Sequence, residues 1–404
     1  MTASLYVHIP FCVANNGGGV CDYCDFFSVA VDTKKDTALL DSFIEILLND
    51  IEEQIAFFNV DYIPTVYIGG GTPSALGAKR IERLLSGLQK LSHFRKAPFE
   101  MSNEKSNEIT IEANPESADE PFLQACVSGG VNRISMGVQS FHEPSRQAVR
   151  RAGGRDLLEQ RLALAADYFP GGLSADLITG LPFQTVSVLA QDIERLLAFR
   201  PAHVSLYSLT VDPETALGRK VSRLGAVKLS LPEGDEADSL WLAGRELLEK
   251  AGLIQYEVSN FSLPDKTCVH NQRYWRMENW LGAGPAASGT IIDDEAGIGR
   301  RFTYPRDVNA YLAAAAPRIH SAAVEEISRA GLIRESLLMG FRCRGGPDPE
   351  LFKRRFGKSI EDCIPQTIER WRGRNFFEHG GLPPSREGLL FLNAFLRDAF
   401  SELD

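Results

Sequence analysis

Three of the chain's seven cysteines fall within FCVANNGGGVCDYCDF, residues 11–26. Cys21 and Cys24 form a C-x-x-C, and eight residues separate Cys12 from Cys21. Clustered thiols point to metal chemistry, and their number narrows it. A closed structural zinc site wants four ligands, and His8, four residues before Cys12, could complete one. Three cysteines also suit a 4Fe–4S cluster in which one iron is left without a thiolate. The plain alternative is a pair of buried cysteines plus a redox thiol, and the spacing alone leaves all three open.

Other polar residues stand where apolar runs end. Gly69, Gly70 and Gly71 close such a run, where glycine lets backbone approach a ligand or simply turns the chain. A phosphate-cradling loop lacks its Lys-Ser/Thr here. Glu112, Gln139 and Asp176 end or follow three further runs, and polar groups buried there serve a site more often than a core, because leaving them unpaired is costly. Arg150 and Arg151 are adjacent, and a guanidinium grips a carboxylate with two prongs. His270 in HNQRYW is a candidate metal-ligating imidazole, with a structural hydrogen-bonding role as its alternative. Cys268, two positions earlier, is either a thiolate ligand or a buried thiol. Tyr274, Trp275 and Trp280 could pack on a flat ligand or form an aromatic core.

Elements must hold these residues in place. Short apolar runs at 5–9, 65–70, 108–113, 131–138, 172–178 and 203–209 alternate with amphipathic stretches at 39–58, 78–91, 119–129, 156–168 and 186–199. Strand–helix alternation of this kind predicts a parallel sheet with right-handed crossovers, here an α/β partial (β/α)6 barrel of the TIM type, with the polar residues at the end where such barrels carry their sites. The rhythm predicts a barrel domain over residues 1–210 and an irregular, aromatic-rich extension over 211–324. A helical, winged-helix-like α+β domain follows over 325–404.

Composition bounds the rest. With 404 residues, 44% hydrophobic and 24% charged, the chain can bury a large core. A net charge of −10 argues against a general nucleic-acid binder, which needs a basic footprint. The first residues lack a secretory signal and no run of 18 apolar residues suggests a membrane span, so a cytoplasmic chain with reduced thiols is expected.

LYVHIPFC, CDYCDF, YIGGGTPS, EITIEANPES, VNRISMGVQSF, ADLITGLPFQT, HVSLYSLT, YEVSNF and HNQRYW occur in that order and together span most of the chain. This series resembles the radical S-adenosylmethionine proteins, and within them the heme chaperones of the oxygen-independent coproporphyrinogen III oxidase group. The resemblance implies that Cys12, Cys21 and Cys24 hold a 4Fe–4S cluster whose open iron takes the amino and carboxyl groups of S-adenosylmethionine. By the same matching Tyr6 and Tyr23 flank the cofactor and Gly70, Gly71 and Thr72 meet its methionyl end. Glu112, Gln139, Arg151 and Asp176 complete the pocket, and His270 serves heme that is passed to acceptor proteins.

Phe26 stands where the oxidase branch has a further cysteine, and the N-terminal extension of that branch is absent, so oxidative decarboxylation of coproporphyrinogen III is the second reading. The usual C-x3-C-x2-C spacing is lengthened by five residues within ANNGGG, which leaves a cluster-free heme carrier as the third. Closing the longer loop costs only ~1 kcal/mol, and Asn and Gly suit an outward bulge. Ala287 replaces a histidine usual in the group.

Overall fold

A computed structural model describes residues 1–13, 20–91, 107–378 and 381–404. The ANNGGG insertion, and with it the expected bulge, lies outside the described residues. Among the described residues, eight strands precede residue 210: β1 (Ser4–Ile9), β2 (Phe11–Val13), β3 (Val29–Val31), β4 (Thr65–Gly70), β5 (Glu108–Ala113), β6 (Arg133–Gln139), β7 (Leu173–Thr179) and β8 (His203–Ser208). β1, β4, β5, β6, β7 and β8 pair side by side, all parallel, in chain order. These are the six runs picked out by hydropathy. β2 and β3 form a separate small parallel pair that frames the first cysteine.

Helices α1 (Thr37–Phe57), α2 (Ala78–Lys90), α3 (Glu120–Ser128), α4 (Glu143–Ala148), α5 (Arg155–Tyr168) and α6 (Val186–Leu197) make the crossovers. α1 shows why they dock. Leu40, Phe43, Ile44, Leu47, Ile51 and Ile55 recur at three- and four-residue steps and are all buried, which turns one stripe of the helix onto the sheet. Asp119 and Thr185 cap α3 and α6 by accepting a backbone N–H three residues on. Such caps set where each helix starts, and therefore how long the loop after each strand can be.

Beyond β8 the chain is more regular than its composition suggests. α7 (Ala216–Leu224) and α8 (Asp235–Lys250) lead to β9 (Ile254–Gln255) and β10 (Asn260–Ser262); β10 adds antiparallel to β8, and β9 antiparallel to β10. After α9 (Val269–Trp275), β11 (Trp280–Ala283) adds parallel to the other edge at β1. β12 (Ser288–Asp293), β13 (Ile298–Thr303) and, after α10 (Val308–Ala313), β14 (Ala323–Ile327) continue antiparallel. The result is one twelve-stranded sheet, β14-β13-β12-β11-β1-β4-β5-β6-β7-β8-β10-β9. Both edges of the six-strand arc are taken by other strands, so β1 and β8 do not pair and the barrel stays open.

α11 (Arg329–Gly340), α12 (Pro349–Phe356), α13 (Ile360–Cys363), α14 (Pro365–Arg372) and α15 (Leu392–Leu403) close the chain, with an isolated bridge between Phe377 and Pro384. They bury their own aromatic core, in which Phe376 stacks on Phe395 at 4.3 Å and Phe341 meets Phe395 edge-on at 4.7 Å. Met277, Ile292 and Ile327 join this second core from the sheet side.

Candidate functional site: a thiol-lined cavity at the open barrel

Polar residues at the C-terminal side of the parallel strands surround one cavity of about 410 Å³. Cys12, Cys21 and Cys24 all lie on its wall, and none is in a disulfide. Tyr23, Gly70, Gly71 and Thr72 line it as well, as do Glu112, Gln139, Arg151 and Asp176. Eleven residues singled out from the sequence, spread between positions 12 and 176, thus meet in one place. Asp176 sits deeper than expected, in the middle of β7.

A continuous series of contacts joins the first cysteine to the second without passing through the loop between them. Cys12 Sγ lies 3.4 Å from Thr72 Oγ1, which accepts from Asn114 Nδ2 at 3.0 Å. Asn114 Oδ1 accepts from Arg151 Nη2 at 2.7 Å, and Arg151 Nη1 donates to Cys21 Sγ at 3.6 Å. Asn114 is the residue sequence reasoning passed over. Its only signal is its place in EANPES, just past the end of β5.

Arg151 is buried, and Nη2 also donates to the Gly137 carbonyl at 2.5 Å. Among the described residues no carboxylate lies within ion-pair distance of it, and its Nε has no partner. Gln139 Oε1 and Glu116 Oε2, on the same wall, are likewise unpartnered. Gln139 holds a left-handed backbone (φ 67°) where the β6–β7 register slips, a strained conformation that turns its amide to the cavity rim. Buried polar atoms left without partners are costly, and a polar ligand would satisfy them.

The three glycines are explained inside the chain. A Cβ on Gly69 would come within 2.9 Å of the Glu112 carboxyl, one on Gly70 within 2.5 Å of the His8 ring, and one on Gly71 within 2.8 Å of the Phe11 carbonyl. Glu112 clamps this turn, accepting from Tyr67 Oη at 2.8 Å and from the Gly70 N–H at 3.1 Å. Burial, with Asp176 nearby, pushes its carboxyl up to about 7. Burial likewise raises the Cys12 thiol and pushes Cys24 up to about 12, so these sulfurs favour the neutral form until a cation arrives.

Two expected site residues are placed elsewhere. Tyr6 is behind the wall, its hydroxyl 3.0 Å from His8 Nδ1 and its ring stacked on Tyr67. His8 Nε2 is 3.0 Å from the Phe27 carbonyl, so both nitrogens of the candidate fourth zinc ligand are engaged. Among the described residues, no group of three His, Cys, Asp or Glu side chains is arranged to hold a single metal ion. His270 lies at the opposite end of the barrel, where β4 begins. It is wholly buried, with Nδ1 2.8 Å from Thr65 Oγ1 and Nε2 2.9 Å from Tyr274 Oη. Burial, with Arg273 and Arg133 adding to it, lowers its pKa to about 3, so the ring is neutral. Cys268 is buried beside it and donates to Glu108. Tyr274 and Trp280 meet edge-on at 5.0 Å in this floor, and the Trp275 ring carries the Arg342 guanidinium.

Residues 6–196 match the radical SAM superfamily and residues 327–391 the HemN C-terminal domain. Heme chaperone HemW of Lactococcus lactis is 32% identical over 365 residues, covering 90% of this chain and 88% of that protein. This chain belongs to the HemW family. The Escherichia coli HemW is 34% identical over 288 residues, 71% of this chain and 70% of its own. A Bos taurus relative, radical S-adenosyl methionine domain-containing protein 1, mitochondrial, is 31% identical over 420 residues, 99% of this chain and 88% of its own. The fold of this HemW-family chain is shared with Escherichia coli coproporphyrinogen III oxidase (HemN), at a TM-score of 0.79 and 21% identity, with 98% and 90% of the two chains covered.

The residues on the cavity wall fit the cofactors that radical SAM proteins carry. Three thiols and no fourth match a cluster with one open iron. The guanidinium without a carboxylate and the unpartnered amide oxygen match an amino acid end group.

Proposed function

We propose that this chain is a heme chaperone that holds a 4Fe–4S cluster on Cys12, Cys21 and Cys24 and S-adenosylmethionine beside it, and delivers heme to acceptor proteins in the cytoplasm. The observation that carries the reading is the meeting of three free cysteines with a buried, carboxylate-free Arg151 on one cavity wall. When bound, a cluster of this kind supplies an open iron for the cofactor's amino and carboxyl groups and a store of one electron. The chain's own part is to position. Arg151 would set its positive charge beside the carboxylate, Gln139 would accept from the amino group, and Tyr23 and Gly71 would close over the methionyl end. Among the described residues no helix is long and apolar enough to cross a membrane.

His270 enters as a supporting residue of the barrel floor. Iron ligation would require it to give up either Thr65 or Tyr274 and open a sealed core. Heme therefore meets the protein elsewhere on this reading.

Anaerobic reconstitution should give about four irons per chain, and a heme titration about one heme. Unchanged iron loading in a Cys12→Ala/Cys21→Ala/Cys24→Ala variant would overturn the cluster. With reductant and S-adenosylmethionine the loaded protein should leave coproporphyrinogen III unconverted, since Phe26 occupies the position of the oxidase branch's further cysteine. Turnover to protoporphyrinogen would overturn the chaperone reading.

A further inference from the structure

Asp22 lies inside the C-x-x-C, between Cys21 and Tyr23, and its side chain is fully buried. An aspartate there needs a reason, because a buried carboxylate is costly unless charges and donors meet it. Two cations do. Arg150 Nε donates to Oδ1 at 2.5 Å, and Lys220 Nζ to Oδ2 at 2.5 Å. The backbone of the same residue is held twice more. Its N–H donates to the Val149 carbonyl at 3.0 Å, and its carbonyl accepts from the Leu217 N–H at 2.8 Å. One residue is thereby fastened to the turn that carries Arg151 and to α7, which follows the last parallel strand.

We infer that Asp22 is a positioning residue for the second and third thiols, replacing the restraint that a short loop from Cys12 would otherwise provide. A link of eight residues limits where Cys21 can go far less than one of three. The four bonds at Asp22 limit it instead. Arg150 and Arg151 are neighbours, so the same anchor fixes Cys21 beside the Arg151 guanidinium that contacts it. Neither Arg150 nor Lys220 lines the cavity; both side chains are partly open to solvent, at 46% and 37%.

This inference rests on the cluster reading above, and its test separates the two. Reconstituted wild type, Asp22→Asn and Lys220→Gln would be mixed anaerobically with an iron chelator and the release of iron followed by absorbance. Hydrogen exchange of the Asp22 and Leu217 amides would be read on the same proteins without iron. Asp22→Asn should release iron at least ~10-fold faster and exchange those amides at least ~10-fold faster, the amides of β5 and β6 being unchanged. Lys220→Gln changes a half-exposed side chain outside the cavity, folds regardless, and should speed release ~3-fold. Equal release rates in all three proteins would overturn the role of Asp22 while leaving the cluster in place. A wild type that takes up no iron would instead overturn the cluster reading itself.

Discussion

Arg151 brings a buried positive charge to the cavity with no carboxylate among the described residues to pair it. Its Nη2 is spent on Asn114 and Gly137, while Nε is unpartnered. Removing a buried charged partner costs a few kcal/mol, so Arg151→Ala should weaken S-adenosylmethionine binding at least ~10-fold, read by calorimetry on the cluster-loaded protein. Glu112 yields a second expectation, in pH. Its folded pKa of about 7 lies above the ordinary 4.5, so the folded state holds a proton that the unfolded chain has lost. Stability from this group is therefore highest below pH 4.5 and falls as pH rises through 7. Glu112→Gln cannot ionise, so the difference in melting temperature between variant and wild type should move in favour of the variant from pH 5 to pH 8. A difference independent of pH would place the proton elsewhere. That most of these residues would meet on one cavity wall was legible at this scale because they stand at or near strand ends in sequence. The chain through Asn114 was not, because a hydrogen bond between residues 37 apart leaves no local pattern.

At the scale of elements, the six parallel strands announce themselves as short runs rich in apolar and β-branched residues, separated by longer amphipathic stretches. β11 does not. WLGA is four residues with a glycine, and its partner β1 lies more than 270 positions earlier, so the stretch reads as irregular. The role of His270 is hidden for the same reason: whether an imidazole is a ligand or a brace depends on its partners, and Thr65 is 205 residues away. α9 is braced at its start as well, where Glu108 accepts the N–H groups of Val269 and His270 at 3.0 and 2.9 Å. His270→Ala should lower stability by about 2–4 kcal/mol in urea, through two lost hydrogen bonds and a new cavity. The absorbance of bound heme should be unmoved. A shifted Soret band with stability intact would return the histidine to the heme.

Across the whole molecule, the sheet and the C-terminal helices have two cores, joined by apolar contacts of Met277, Ile292 and Ile327 and by a few part-buried polar bonds. The Arg355 guanidinium, 4% exposed, reaches Asp294 at 2.7 Å and the Met277 carbonyl at 3.1 Å. Arg301 ties β13 to Glu335 of α11. Arg355→Ala should cost about 2 kcal/mol and weaken the coupling between the two cores. Unfolding followed by Trp371, which lies in the C-terminal core, should then precede the loss of sheet signal. Coincident transitions in the variant would show that the two cores are held together by other contacts.

A sheet that never closes has two free margins, and each is a template on which a second chain could grow a strand. One margin, β9, is two residues long and offers almost no length to copy. The other, β14, is five residues with Glu325 and Glu326 exposed, each already engaged by an arginine of β13. An incoming strand would have to bring its own cations to carboxylates that are taken. The open barrel that makes room for a cavity thus carries a liability towards fibre-like association, and the chain answers it with brevity at one end and charge at the other.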